Sequence, residues 1–128
     1  LTSLRDIKEE LSDQLKNIEE IAIAFQSGKD EEGAEKLQKF IDFIYRYTRT
    51  CYQIAPVFSI EMNEVVVDGV SLEEKNHEIQ EMLVETMEIL ENNDIISLSD
   101  ILEYEIKESL ENVTDYIDVL VEKLKNNS

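Results

Sequence analysis

Apolar residues recur at every third or fourth position along nearly the whole chain, and that spacing leaves little choice of fold. The first run is Leu4, Ile7, Leu11, Leu15, Ile18, Ala22 and Phe25. At about 3.6 residues per turn such steps fall on one stripe of an α-helix, whereas a half-buried strand would alternate every second residue. A second stripe follows through Leu37, Ile41, Ile44, Thr48, Cys51 and Ala55. A third takes in Leu72, Ile79, Met82, Leu83, Thr86, Ile89 and Leu90. The fourth runs from Ile95 through Leu98, Leu102, Ile106, Leu110, Val113, Ile117 and Leu120 to Leu124. A lone amphipathic helix cannot bury its own stripe, so the segments must pack on one another.

The helix-breaking residues fall where the stripes stop. The chain has 3 glycines and 1 proline in 128 residues. Gly28 supplies a left-handed stop after the first stripe, and Pro56 ends the second. Helix starts are marked by capping residues at Ser3, Asp30 and Asp94, and by Ser71 with Glu74 three residues on, a capping box. Between Pro56 and Ser71 the helical period is lost. Residues 57–70, VFSIEMNEVVVDGV, place Val65–Val67 and Val70 around the turn dipeptide Asp68-Gly69, the signature of a short hairpin or extended crossover. The expected fold is therefore all-α: an antiparallel up-down-up-down four-helix bundle with a short extended crossover at about 57–70 between helices 2 and 3, in one domain spanning 1–128. The fourth helix would be on the order of 45 Å long. A bend is expected near Ser97–Ser99 or Asn112–Thr114.

Thirty acidic residues against 12 basic ones give a net charge of −18. Such a surface repels nucleic-acid phosphates and anionic lipid heads, so neither nucleic acid nor membrane is an expected partner. No apolar run approaches the roughly 20 residues that span a bilayer, and no signal-peptide pattern is visible. The single cysteine cannot close an internal disulfide, which suits a reducing, cytoplasmic setting. Leu1 rather than Met opens the chain, which leaves room for a leader removed beforehand.

The chemistry-bearing residues are sparse. Cys51 sits in a core stripe with no acid or histidine predicted beside it, the position of an inert buried thiol. Glu74 and His77 have the spacing of a di-iron motif, but the motif must be duplicated and His77 is the sole histidine. His77 also falls roughly opposite the Ile79/Leu83 stripe. No Gly-rich phosphate loop or nucleophile elbow occurs. Asn112-Val-Thr114 fits a glycosylation acceptor but lies inside a helical stripe. No catalytic residue and no cofactor is assigned, and no enzymatic activity is expected.

What stands out instead is FIDFIYRYTRTCYQIAP, residues 40–56, where arginines and tyrosines crowd together. With Ile44 at the centre of a helical wheel, Phe40 and Tyr47 take one flank and Tyr45 and Tyr52 the other. The apolar arc then covers about half the circumference, more than one neighbour needs. Tyrosine hydroxyls would reach the surface, and Arg46 and Arg49 would lie outside, with Asp42 one turn from Arg46 and able to pair with it. The crossover is itself unusually apolar for a loop, and long loops are often functional. Tyr45, Arg49, Tyr52, Phe58, Ile60, Val66 and Tyr104 are the candidate partner-binding residues. The expected function is a non-enzymatic protein-binding module that holds a helix or extended segment of another protein, or self-associates as a homodimer. The alternative is a carboxylate-rich metal-binding bundle using Glu103, Glu108 and the neighbouring Glu105.

Two stretches, VVVDGVSLEEK (65–75) and LENNDIISLSDILEYEI (90–106), carry a resemblance. They resemble an uncharacterised family of small helical proteins in Gram-positive bacteria. There a short Asp-Gly segment precedes a helix, and a later helix opens with a pattern matched here by Asp94, Asp100, Leu102, Glu103, Tyr104 and Glu105. The resemblance implies a small helical domain with no assigned activity. In shape the whole is similar to flagellar export chaperones, acidic helical bundles that bind a secreted subunit, which implies an adaptor or export-chaperone-like role.

Overall fold

The structure, a computed structural model, describes residues 2–127. It is mostly helical, with one small antiparallel ladder. Helices α1 (Thr2–Gln26) and α2 (Asp30–Val57) are joined by a tight turn in which Gly28 adopts φ 77°. A side chain there would be strained, which is why glycine stops the helix. The two helices run antiparallel. Lys36 pairs with Glu20 at 3.0 Å, Asn17 donates to the Lys36 carbonyl at 3.1 Å, and Arg46 reaches Glu10 at 2.5 Å. Arg46 thus pairs across the α1–α2 seam and not with Asp42, which accepts from Gln38 instead. The seam places an interhelical carboxylate within reach of the guanidinium, and the expected intrahelical pair gives way.

Two expected caps also shift. α1 is already helical at Thr2, so Ser3 lies in its first turn. Lys29 occupies the cap position of α2 with no side-chain capping bond, and Asp30, Glu31 and Glu32 fill the first turn. Their carboxylates there oppose the positive end of the helix dipole. The other two caps form as the sequence indicates. Ser71 Oγ accepts from the Glu74 N–H at 3.1 Å, and Asp94 Oδ1 accepts from the Ser97 N–H at 3.1 Å.

α2 buries Leu37, Phe40, Phe43, Ile44, Tyr47, Cys51 and Ala55, while Ile41 and Thr48 are half-buried and Tyr45 and Tyr52 are exposed. The helix is rotated toward its Phe40–Phe43–Tyr47 flank relative to the expected stripe. Burying two phenylalanines removes more apolar surface from water than burying tyrosines that can keep their hydroxyls wet.

After α2, which carries Pro56 in its last turn, Phe58 and Ile60 both return amide hydrogen bonds to the Ala55 carbonyl. A single 3-10 turn (Met62–Glu64) leads into β1 (Val66–Val67) and β2 (Val70–Ser71), paired Val66↔Ser71 and Val67↔Val70. Asp68 and Gly69 both take positive φ, 51° and 79°, the requirement of a type I′ hairpin turn. The Tyr116 hydroxyl clamps this hairpin to the body, reaching the carbonyls of Val70 at 2.8 Å and Val67 at 3.3 Å.

α3 (Leu72–Glu91) turns at Asn92–Asp94 into a broken fourth rod: α4 (Ile95–Asp100), a π-helical segment (Ile101–Ile106), α5 (Lys107–Glu111) and α6 (Val113–Asn127). This rod runs antiparallel to α1, tied by Lys107–Glu19 and by Lys8–Asp118 at 2.6 Å. The break at Asn112 falls where a bend was expected; the π segment was not foreseen. Its cause is in the spacing Leu98, Leu102, Ile106, Leu110. Three successive steps of four residues overshoot a 3.6-residue turn by about 40° each. A wider turn absorbs that drift and keeps Ile101, Leu102 and Ile106 buried together. Buried side chains from all four rods and the connector form one contiguous core. Among the described residues no helix is long and apolar enough to cross a membrane.

Candidate functional site

α2 and α3 make few close backbone approaches. Between them lies a groove of about 420 Å³ lined by Thr48, Tyr52, Glu73, Glu74, Asn76, His77 and Gln80. The Ser71 cap fixes where α3 begins, and hence puts Glu73 and Glu74 on the rim in the first turn. One further residue pair turns Asn76 inward, where it is 2% exposed.

There it meets Tyr47, whose hydroxyl donates to Asn76 Oδ1 at 2.7 Å in the buried seam between α2 and α3. Burial pushes the Tyr47 phenol well above its ordinary pKa, so it stays protonated and able to donate. The other end of the amide, Nδ2, meets no hydrogen-bond acceptor among the described residues. With Oδ1 taken up by the Tyr47 hydroxyl, the open end is the Nδ2 donor. A buried polar group left unpaired costs about 1–3 kcal/mol, and native interiors contain few of them.

The walls supply the remaining chemistry. Tyr52 stands half-exposed on α2; burial of part of its ring and the charge of nearby Glu73 raise its phenol pKa. His77 is solvent-facing as expected and pairs with Glu81 at 2.9 Å, one turn along α3. Cys51 lies in the core beneath, 0% exposed, and burial pushes its thiol up to about 12. A thiol so reluctant to ionise is a poor nucleophile and ligand. The groove offers a buried amide, two carboxylates, a phenol and a hydroxyl, a set suited to recognition.

The structure scatters the candidate residues. Tyr52 lines the groove. Tyr45 is exposed on α2, seven residues away. Arg49 is also exposed but lies in a separate depression with Ser3, Asp6, Ile7, Arg46 and Thr50, on the α1 side of the helix. Tyr104 projects from the π segment and Val66 from β1, both exposed. Phe58 is half-buried, and its carbonyl accepts from the Asn127 amide at 3.2 Å. Ile60 is not on the surface: it is 5% exposed and belongs to the core, because the hydrogen bond from its N–H to the Ala55 carbonyl folds the connector back onto the body. Tyr47, expected to raise its hydroxyl to the surface, is likewise fully buried.

Glu105 and Glu108 line a second trough, with Glu78, Glu81 and Glu85 from α3. Beneath it the buried Lys75 ammonium donates to the Ser109 carbonyl at 2.9 Å and lies 3.5 Å from Glu78. Among the described residues no three acids, histidines or cysteines come together as a metal would need. Sequence periodicity missed both Lys75 and Asn76. The signal was there: Leu72 and Ile79 are two turns apart on one stripe, so the positions three and four residues after Leu72, which are Lys75 and Asn76, must also face inward.

The chain belongs to a family described as a domain of unknown function, DUF8042, whose model matches residues 2–125. No curated protein and no solved structure matches it.

Proposed function

We propose that this domain is a non-enzymatic binding module that holds a segment of another protein in the groove between α2 and α3. The observation that carries the reading is the Asn76 amide, buried on the groove floor with one end paired to Tyr47 and the other unpartnered. A bound segment would supply the missing partner and recover the associated cost. On this reading the antiparallel rods form an up-down-up-down bundle whose α2–α3 side is left open, and the acidic faces elsewhere keep the domain soluble in a cytoplasmic setting. The role would be that of an adaptor or export-chaperone-like holder, in keeping with the likeness of the whole, in shape alone, to flagellar export chaperones.

The test is site-directed photocrosslinking in the host cell. Gln80 on the groove wall is replaced by p-benzoylphenylalanine, and Asp13 on the exposed face of α1 serves as the control. A discrete polypeptide captured from Gln80, absent from Asp13 and lost when Thr48→Trp fills the groove, is the expected result. Equal capture from both positions, or capture indifferent to Thr48→Trp, would remove the groove from the account.

A further inference from the structure

Three features of the α2–α3 groove select among occupants. The first is the Asn76 Nδ2 donor on its floor, which needs an acceptor. A carboxylate is disfavoured there, because Glu73 and Glu74 stand on the rim and the whole chain carries −18. A neutral carbonyl meets the need without that repulsion.

The second concerns which peptide conformations have carbonyls to offer. An α-helix spends its carbonyls on its own amides except in its last turn, so a helix laid along the groove presents Asn76 with side chains and no backbone acceptor. An extended segment keeps every backbone carbonyl available. The third is charge and ring geometry. Two rim carboxylates beside the half-exposed Tyr52 ring are suited to a lysine or arginine side chain, through charge and through the face of the ring. That Glu73 already raises the Tyr52 phenol pKa places charge and ring in each other's field.

Resting on the groove reading above, we propose that the occupant is an extended, lysine- or arginine-bearing segment of a partner protein. One of its backbone carbonyls accepts from Asn76 Nδ2, and one of its cations is held by Glu73 and Glu74 beside Tyr52. The open amide then acts as a depth gauge, since a segment held only by surface charge would not reach it.

The probe is a blocked peptide of four Lys-Pro-Thr repeats, kept extended by its prolines. It is titrated into the full chain at physiological salt while the Asn76 side-chain amide is followed by NMR. A saturable downfield shift of that amide is expected. The matching Gln-Pro-Thr peptide should bind about tenfold more weakly, as should the lysine peptide to the Glu73→Lys variant. Glu122→Lys, an exposed reversal on α6 with the same change in net charge, should alter affinity by less than about twofold. If Glu122→Lys costs as much as Glu73→Lys, the peptide is held by diffuse charge and the inference falls. If the glutamine peptide binds equally well with the same amide shift, the cation requirement is overturned while the groove reading stands. A lysine-bearing helical peptide that shifts Asn76 more than the extended one overturns the extended conformation. If no peptide moves Asn76 although crosslinking at Gln80 captures a partner, this inference alone is lost; if both fail, the groove reading is lost with it.

Discussion

The Tyr47–Asn76 bridge makes a demanding prediction because both partners are buried and the amide has no other side-chain partner among the described residues. Tyr47→Phe removes the hydroxyl and leaves the amide with neither end paired, in a site where water has little access. The expected loss is about 2 kcal/mol, within the 1–3 kcal/mol typical of a stranded buried polar group. An unfolding entropy of about 2.1 cal/mol/K per residue turns that into a drop in Tm of roughly 7 °C for a chain this long. Asn76→Leu strands the Tyr47 hydroxyl but also removes the amide end that had no partner, so its net cost should be smaller, about 1 kcal/mol. The double variant replaces both polar groups by apolar ones of similar shape and should lie close to the parent. The cycle should therefore be strongly non-additive, with a coupling of about 3 kcal/mol. Urea unfolding followed by far-UV circular dichroism measures all four proteins on one scale. Additive single losses, or a Tyr47→Phe protein within about 0.3 kcal/mol of the parent, would mean that the bridge is not made.

Two other expectations probe the interior. Ile44 is 0% exposed at the centre of the α2 face, so Ile44→Asp buries an unpaired charge and should cost about 4 kcal/mol or more; a cooperative melt near the parent Tm would place Ile44 elsewhere. Cys51 should resist iodoacetamide in the native protein at mildly alkaline pH and react once urea unfolds the chain. Its thiol pKa is raised from 9.0 to about 12 by burial, so the unfolded state releases its proton first. Stability from this group is complete below the unfolded value and declines as pH climbs toward the folded one, by about 1.4 kcal/mol per pH unit. Cys51→Val should flatten that part of the alkaline profile, leaving the contribution of the buried Tyr47 phenol, and a profile unchanged by the substitution would contradict the assignment.

The parts of the fold legible in the sequence are those set by local rules. Gly28, the Ser71 and Asp94 caps and the Asp68-Gly69 turn each answer to a backbone requirement that few residue types meet. The rotation of α2 was less legible because two stripes compete there. Leu37, Ile41, Ile44 and Thr48 make one, while Phe40, Phe43 and Tyr47 make another a fraction of a turn away. Periodicity ranks them equally, and the choice is made by what the neighbouring rods can cover. That choice is why Tyr52 ended on a groove wall and Tyr47 beneath it.

The polar interior was the least legible part, and it is where the candidate site lies. Hydrophobic patterning treats lysine and asparagine as surface residues, so Lys75 and Asn76 read as a gap in the α3 stripe. The geometry of that stripe nevertheless demands that something fill the turn between Leu72 and Ile79. What fills it differs in kind on the two sides. Lys75 turns toward the fourth rod and has partners in plenty: the Ser109 carbonyl in the last turn of α5, just before the break at Asn112, and the ring of Tyr116 at 6.0 Å. A cation near a helix C-terminus is well placed against the dipole and the free carbonyls, so Lys75 has a structural reason to be there. Asn76 turns the other way, toward α2, and only one of its two side-chain polar atoms has a partner. Adjacent residues on one helix turn, equally hidden from solvent, thus divide into one whose needs the fold satisfies and one whose needs it leaves open, and the open one lies on the floor of the groove.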